Sequence, residues 1–438
     1  MTLDISTTSS TDPVPTRVKG TAPVYAPDLR LFVFALFFFF GGITSLNDVI
    51  IPKLKALFTL SYAEVMLVQS AFFTAYFLVS LPAAAIVKRL GYMRTAVVGL
   101  LTMTAGCLLF IPASSSGLFS TFLLALFVLA AGITIVQVVA NPLISMLGAP
   151  ATAHSRLTFA QAFNSLGTTI FPYVGSILIL GSLANVNPTR LIGTALDMFR
   201  AQETRVIVHT YFGLAAALLL LAAVVWICRH RLIETPAPDT GVLQGIKLLR
   251  RPRFAFGAVC IFLYVGAEVA IGSLIVNYLM QANVLGLAAE DAGKHVPYYW
   301  GGAAAGRFVG AYLLRVISPG KVLACAAGMV LALLLVSAYS TGPLSGWSLL
   351  AIGLFNSIMF PTIFSLASEG LGSSAADGSG VICMTIVGGA IVPLITGHAA
   401  DLAGLKIALA VPALCYAGIL GFGLYARHPA LLKMSEPC

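Results

Sequence analysis

The chain has few charged residues. Asp, Glu, Lys and Arg make up 9% of its 438 residues, and 59% of the residues are hydrophobic. A soluble domain carries roughly 25% charged residues, so the composition excludes an ordinary soluble fold. A mean hydropathy of +0.96 points instead to a protein with many membrane-spanning segments.

The chain also lacks the signatures of metal, disulfide and nucleotide chemistry. Its seven cysteines form no Cys-x-x-Cys pair and do not stand with histidine at metal-ligand spacing. Gly293-Lys294 is followed by His295, without the upstream glycines of a nucleotide-binding loop. We therefore expect no cofactor and no ATP-driven pump, and no nucleophile–base constellation indicates an enzyme.

Apolar runs of about 20 residues recur along the chain and predict an all-α membrane protein with twelve transmembrane helices. The predicted spans are 31–57, 65–88, 93–113, 118–147, 154–183, 206–228, 254–283, 296–316, 320–340, 345–369, 378–400 and 404–426. Residues 1–30 are polar and have no signal-peptide core, so they predict a disordered tail.

Basic residues indicate the orientation. Most of the 25 Lys and Arg residues lie in the two tails and the even-numbered loops, for example Lys88, Arg89 and Arg253. By the positive-inside rule, both termini are expected in the cytoplasm. The net charge of +9 is thereby explained by an anionic inner leaflet, and no nucleic-acid partner is expected.

The two halves of the chain resemble each other at offsets of roughly 220–230 residues. KRLGYMRTAVVGL after the second span is similar to LRVISPGKVLACAAG after the eighth, and Pro172 has a counterpart in Pro393. Such a parallel six-plus-six repeat is typical of transporters whose halves rock around a central site. The predicted organisation is a cytoplasmic tail (1–30), a six-helix bundle (31–229), a linker (230–253), a second six-helix bundle (254–427) and a tail (428–438).

Amide side chains stand out within two consecutive apolar spans. Gln137 and Asn141 are four residues apart, and Gln161 and Asn164 are three apart, so each pair shares a helix face. Amides are costly at hydrocarbon depth unless they face a partner or a wet cavity. They donate and accept hydrogen bonds, which suits a neutral ligand rich in hydroxyls, such as a sugar. The alternative is that they join helices.

Ionisable residues within predicted spans are the other candidates. Asp48 lies in the first span, Glu268 in the seventh and Arg307 in the eighth. A carboxyl group held away from water can exchange a proton near neutral pH, so Asp48 and Glu268 are candidate coupling sites. Arg307 is interpreted as a structural or gating partner.

Several motifs in succession resemble the fucose–proton symporter family of the major facilitator superfamily, and within it the bacterial glucose/galactose transporter branch. They are GGITSLNDVIIPKL, VQSAFFTAYFLVSLPAA, QVVANPLISMLG, RLTFAQAFNSLG, YVGAEVAIGSLIVNYL, SIMFPTIFSLASEGLG and GSGVICMTIVGGAIVPLITGHAAD. The resemblance implies the major facilitator fold with two pseudo-symmetric bundles. It also implies hexose import coupled to a cation gradient, with Asp48 as a protonation site and the amides of the fourth and fifth spans lining the sugar site.

The chain departs from the fucose symporter pattern at two positions. That pattern has a glutamate where this chain has Gln137 and a glutamine where it has Glu268. The expected substrate is therefore a glucose- or galactose-type hexose, with fucose as an alternative, and the expected coupled ion is H⁺, with Na⁺ as the alternative.

The sequence thus predicts a monomer in the bacterial cytoplasmic (inner) membrane that binds a glucose- or galactose-type sugar. Further substrate-binding candidates are Asn47, Gln69, Asn277, Gln281 and Asn356. The alternatives are a Na⁺-coupled symporter, a passive facilitator, a carrier of fucose, mannose or N-acetylglucosamine, and a drug–proton antiporter.

Overall fold

The computed structural model describes residues 27–58, 62–116, 118–175, 194–230 and 242–427, which are largely helical and contain no strand. The α-helices are α1 (Pro27–Phe58), α2 (Tyr62–Leu90), α3 (Tyr92–Ser116), α4 (Phe119–Met146), α5 (Ala153–Gly175), α6 (Thr194–Cys228), α7 (Pro252–Met280), α8 (Ala289–Gly293), α9 (Val296–Val316), α10 (Pro319–Tyr339), α11 (Pro343–Asn356), α12 (Met359–Ala367), α13 (Ala375–Met384), α14 (Gly388–Ala403), α15 (Leu405–Ala408) and α16 (Ala410–Tyr425). Short 3₁₀ helices cover Pro150–Thr152, Val242–Arg250, Gly372–Ser374 and Thr385–Val387.

The helices account for the twelve predicted spans. The first seven spans are α1 to α7, the next two are α9 and α10, and the last three are the pairs α11–α12, α13–α14 and α15–α16. Ten segments among the described residues are long and apolar enough to cross a membrane. Helices α5 and α9 are more polar than these ten, and they carry Gln161, Asn164 and Arg307.

Some boundaries differ from the prediction. Helix α1 begins at Pro27, inside the segment predicted as a tail, and α6 begins at Thr194, twelve residues before the predicted start at residue 206. The last three spans are interrupted helices. Pro361 and Pro412 stand in the first turns of α12 and α16, where a residue without a backbone N–H is tolerated.

The same helix pairings occur in both halves. In the N-terminal half, α1 packs on α5, α2 on α4, and α3 on α4 and α6. The C-terminal half repeats the scheme with α7 on α14, α9 on α11, and α10 on α11 and α16. The fold is therefore two pseudo-symmetric six-helix bundles, and they meet mainly where α2 packs on α13 and α5 on α9.

Glycines allow close approach at the helix crossings that carry the site. A Cβ atom on Gly167 of α5 would lie 2.1 Å from the carbonyl oxygen of Phe38 in α1. A Cβ atom on Gly306 of α9 would lie 2.3 Å from the carbonyl oxygen of Leu354 in α11. Both crossings are therefore backbone-to-backbone contacts that fix α5 and α9 within their own halves.

Candidate functional site: a polar cavity between the two halves

A cavity of about 160 Å³ lies between the two halves. Helices α1, α2, α4 and α5 form one side of it, and α7, α9, α12 and the turn Thr385–Val387 form the other. The lining residues are Phe40, Gly41, Thr44, Tyr76, Gln137, Gln161, Asn164, Thr168, Tyr264, Val265, Glu268, Arg307, Phe360 and Ile386. Amides, hydroxyls and two opposite charges thus face aromatic and aliphatic groups across one small space.

The amide of Gln137 is held by a neighbouring helix. The hydroxyl of Tyr76 in α2 donates a hydrogen bond of 2.8 Å to Oε1 of Gln137, and both side chains are buried. The Gln137 amide group thereby keeps its Nε2 donors for another acceptor. Tyr76 therefore fixes the direction in which Gln137 presents its donors to the cavity.

The two amides of α5 lie on the same wall. Nδ2 of Asn164 donates to the carbonyl oxygen of Phe37 in α1 at 3.4 Å. A Cβ atom on Gly41 would lie 2.6 Å from the backbone carbonyl oxygen of Asn164, so a glycine is required where α1 passes α5. Gln161 stands one turn away and is buried. The structure thus brings Gln137, Gln161 and Asn164 together on the wall of one cavity, and their role in sugar binding stays a prediction.

The C-terminal half contributes the charges. Glu268 of α7 and Arg307 of α9 both line the cavity, and their charged groups interact electrostatically. Arg307 also reaches the other half: its Nη1 donates to the carbonyl oxygen of Gln161 at 3.1 Å and to the Ser165 hydroxyl. Its Nε donates to the carbonyl oxygen of Ser357 at 3.3 Å. Arg307 therefore bridges the two halves beside the cavity.

Four of the predicted binding residues are not on the cavity wall. Asn141 is fully buried in α4, and neither its Oδ1 nor its Nδ2 has a partner among the described residues. Asn356 is also fully buried, and its Nδ2 donates to the Tyr299 hydroxyl at 2.8 Å. Asn277 is exposed. Gln281 cannot share a helix face with it, because α7 ends at Met280 and Gln281 has extended backbone angles.

Three predicted residues lie where the side chains are outside the described part of the structure. These are Asn47, Asp48 and Gln69. The coupling role of Asp48 and the binding roles of the other two stay predictions.

Hydroxyl and aromatic groups complete the site and were not singled out from the sequence. Thr44, Tyr76 and Thr168 line the N-terminal side, and Tyr264 and Phe360 line the other. A buried tyrosine usually finds a hydrogen-bond partner for its hydroxyl, so the position of Tyr76 within an apolar span could have indicated a polar neighbour. The threonines carry no such signal, because a helical threonine commonly bonds its own backbone, as Thr44 does to Phe40.

Polar and ionic contacts between the halves gather at one end of the bundle, here called the closed end and defined by Lys88, His154, Glu369 and Asp377. Nζ of Lys88 lies 2.8 Å from Oδ1 of Asp377, with the two side chains 2% and 9% exposed. Nε2 of His154 lies 3.2 Å from Oε1 of Glu369, which also pairs with Arg253. These contacts hold α2 to α13 and the start of α5 to the segment after α12.

Hydrogen bonds reinforce the closed end. The Ser379 hydroxyl donates to the carbonyl oxygen of Val138 at 2.8 Å, and the Ser155 hydroxyl donates to that of Ala311 at 2.6 Å. A Cβ atom on Gly380 would lie 2.7 Å from Cβ of Ala84, so α13 lies directly on α2. These contacts hold the two halves together at this end of the bundle.

Two bundles with repeated pairings, a polar cavity at their interface and contacts that join the halves at one end are the architecture expected of a carrier. The Major Facilitator Superfamily model matches residues 32–393. The chain belongs to the Major Facilitator Superfamily.

Members of this superfamily with curated names resemble the chain over nearly its whole length. A protein named glucose/galactose transporter from Brucella abortus is 48% identical over 89% of this chain and 92% of its own length. A putative glucose/galactose transporter from Helicobacter pylori is 41% identical over 89% of this chain and 94% of its own. The L-fucose-proton symporter of Escherichia coli is 32% identical over 90% and 92%.

A solved structure of the superfamily has the same fold. The crystal structure of the transporter FucP in the outward conformation superimposes with a TM-score of 0.82 at 31% identity, covering 91% of this chain and 98% of that one. The prediction of a major facilitator fold from the motifs is therefore confirmed. The chain is a multi-pass membrane transporter.

Proposed function

We propose that the protein imports a neutral aldohexose, of the glucose or galactose type, by symport with a cation. The observation that carries the proposal is the cavity between the halves, where Gln137, Gln161 and Asn164 present amides from one side. Amides match sugar hydroxyls because both donate and accept hydrogen bonds. Transport, rather than a chemical reaction, is the activity proposed, and no cofactor is invoked.

The apolar lining supports a sugar over an ion. Phe40, Val265 and Phe360 line the same space as the amides. A hexose ring has apolar C–H faces between its hydroxyls, so it can pack against such residues while its rim is hydrogen-bonded. A lipophilic cation, the substrate of a drug antiporter, would leave the amides unpaired, at a cost for each buried polar group.

The choice of glucose or galactose rests on the relatives, since two proteins so named are 48% and 41% identical to this chain. Fucose, mannose and N-acetylglucosamine are the competing sugars. Epimers differ by the position of one hydroxyl, and a site built to hydrogen-bond a hydroxyl can reject an analogue without it. A transport panel of these sugars decides between them.

The coupled ion in this proposal is a proton, carried by Asp48. The relative named as a proton symporter supports this choice. Protonation of Asp48 from outside neutralises a charge within the membrane and permits the loaded halves to rock. Sodium is the alternative ion, and a passive facilitator with a purely structural Asp48 is the alternative class.

The proposed orientation has both termini in the cytoplasm of a bacterium, with the protein a monomer in the inner membrane. The closed end is then the cytoplasmic end, because the basic residues Lys88, Arg89 and Arg253 lie there. The cavity is sealed from the cytoplasm by the contacts of Lys88 and His154, a state that corresponds to capture of sugar from outside.

Counterflow tests the proposal without any assumption about coupling. Purified protein in liposomes preloaded with unlabelled sugar should take up labelled glucose or galactose, and empty liposomes should not. A lipophilic cation is assayed in parallel. Exchange of the cation without exchange of any hexose would refute the proposal, whereas exchange of fucose alone would change only the named sugar.

A further inference from the structure

Two charged side chains line the cavity in the described part of the structure, and they have opposite signs. Glu268 and Arg307 both belong to the C-terminal half, on α7 and α9. Their charged groups interact electrostatically. With Glu268 ionised, the pair contributes no net charge to the cavity. If the Glu268 carboxylate is removed, the same wall carries one positive charge, that of Arg307.

The positive charge is fixed in place. An arginine stays protonated in proteins, so the charge of Arg307 cannot be discharged. Its backbone is held by the close packing of α9, because a Cβ atom on Gly310 would lie 1.9 Å from Cγ2 of Ile358. Its Nη1 is bound to the carbonyl oxygen of Gln161 and to Ser165. A change at Glu268 therefore leaves the guanidinium beside the cavity.

The guanidinium also keeps donors for a ligand. Nε and Nη1 of Arg307 are used by Ser357, Gln161 and Ser165, whereas Nη2 makes no hydrogen bond to another described residue. A guanidinium pairs well with a carboxylate, by charge and by geometry. The wall that takes a neutral hexose thus contains the recognition element for an anionic sugar, balanced by a neighbouring carboxylate.

We propose that Glu268 is a specificity-determining residue: it neutralises Arg307 and rejects sugars that carry a carboxylate, so that neutral hexoses are selected over hexuronates. The inference rests on the proposed hexose function and names the feature that restricts its substrate class. Glu268 has two effects: it neutralises the charge of the Arg307 guanidinium, and it repels a carboxylate on the ligand. Removal of the carboxylate should then admit glucuronate and galacturonate.

The test is a cycle of four purified proteins: the wild type, Glu268→Gln, Arg307→Gln and the double variant. Binding of galactose, glucose, galacturonate and glucuronate is measured by calorimetry at pH 7, where the uronate carboxyl is ionised. Every other charged residue is the same in the four proteins, so differences in sugar affinity between them report only on Glu268 and Arg307.

The expected result is a gain of uronate affinity in Glu268→Gln, by about tenfold or more over the wild type. The gain should disappear in the double variant, because the uncovered charge of Arg307 is its cause. Glu268→Asp, which keeps the charge at the same position, should show no gain. Asp291→Asn removes an exposed carboxylate that pairs with Lys294 away from the cavity, and it should also show none.

Two outcomes would overturn the inference: no gain of uronate binding in Glu268→Gln, or an equal gain in the double variant. Glu268→Asn is a second variant without the charge, so the test does not fail if Glu268→Gln alone misfolds. Thermal unfolding of each purified protein checks that it is folded. Absence of hexose binding in the wild type would instead count against the proposed function, so the two failures are distinguishable.

Discussion

The ion pair between Lys88 and Asp377 joins the two halves and gives a sharp prediction about the closed end. Lys88 lies in the last turn of α2 in one half, Asp377 lies in the first turn of α13 in the other, and their charged atoms are 2.8 Å apart. Asp377→Asn keeps the size of the side chain and removes its charge. The ammonium of Lys88, 2% exposed, then loses a buried counter-charge.

Removal of one member of a buried ion pair costs about 3–5 kcal/mol, because the remaining charge stays desolvated. Rocking of the halves separates these helices, so the cost falls on the closed state and not on the state in which the end is open to water. A loss of about 3 kcal/mol changes the ratio of closed to open molecules by about 150-fold. Asp377→Asn should therefore move the protein toward the state open at this end.

Spin labels on Leu90 and Ser373, in a background without native cysteines, report this opening as a longer distance between α2 and the segment before α13. We expect the longer distance to dominate in Asp377→Asn and the short one to return in the charge-swapped variant K88D/D377K. An unchanged distance distribution in Asp377→Asn would refute the reasoning that this pair closes the end.

Three further predictions concern sugar binding and coupling. Gln137→Ala and Asn164→Ala each remove hydrogen bonds worth about 0.5–1.5 kcal/mol, so calorimetry should show sugar affinity lowered roughly threefold to tenfold. Unchanged affinity in both variants would show that the amides only join helices. Tyr76→Phe should weaken sugar binding by about threefold, because Oε1 of Gln137 loses the hydrogen bond of 2.8 Å from the Tyr76 hydroxyl. In a double-mutant cycle with Gln137→Ala, the two effects on affinity should be non-additive. Additive effects would contradict the coupling of Tyr76 to Gln137. Asp48→Asn should keep exchange between loaded states and lose uphill uptake in proteoliposomes, whereas gradient-driven accumulation by this variant would remove Asp48 from the mechanism.

The twelve spans could be predicted because a backbone in lipid must satisfy its own hydrogen bonds, which makes long apolar helices obligatory. The interruptions within the last three spans could not, since hydropathy averages over the short breaks before Met359, Gly388 and Ala410. Helices α5 and α9 were predicted as spans together with the others, although they are more polar. Their polarity has a physical reason: they face each other across the halves beside the cavity.

The candidate site was predicted only in part. Residue spacing placed Gln137 and Gln161 on helix faces, and both face the cavity. The spacing of four residues also put Asn141 on the helix face of Gln137. Asn141, one turn further along α4, lies instead in the packed interior, whereas Gln137 lies on the cavity wall. Tyr76 meets Gln137 from 61 positions away in the chain, and Arg307 meets Gln161 from 146. Contacts of this kind depend on how the helices pack, which no local pattern encodes.

Uptake of labelled hexose against its gradient tests the central claim most directly. In proteoliposomes containing the wild-type protein, with an acidic exterior and no sodium, labelled glucose or galactose should accumulate above the external concentration, and a proton ionophore should abolish the accumulation. A membrane potential of 100 mV contributes about 2.3 kcal/mol per charge, enough for roughly a 50-fold ratio. Accumulation driven by a sodium gradient at constant pH would contradict the proton assignment, and transport of a lipophilic cation without any hexose would contradict the account as a whole.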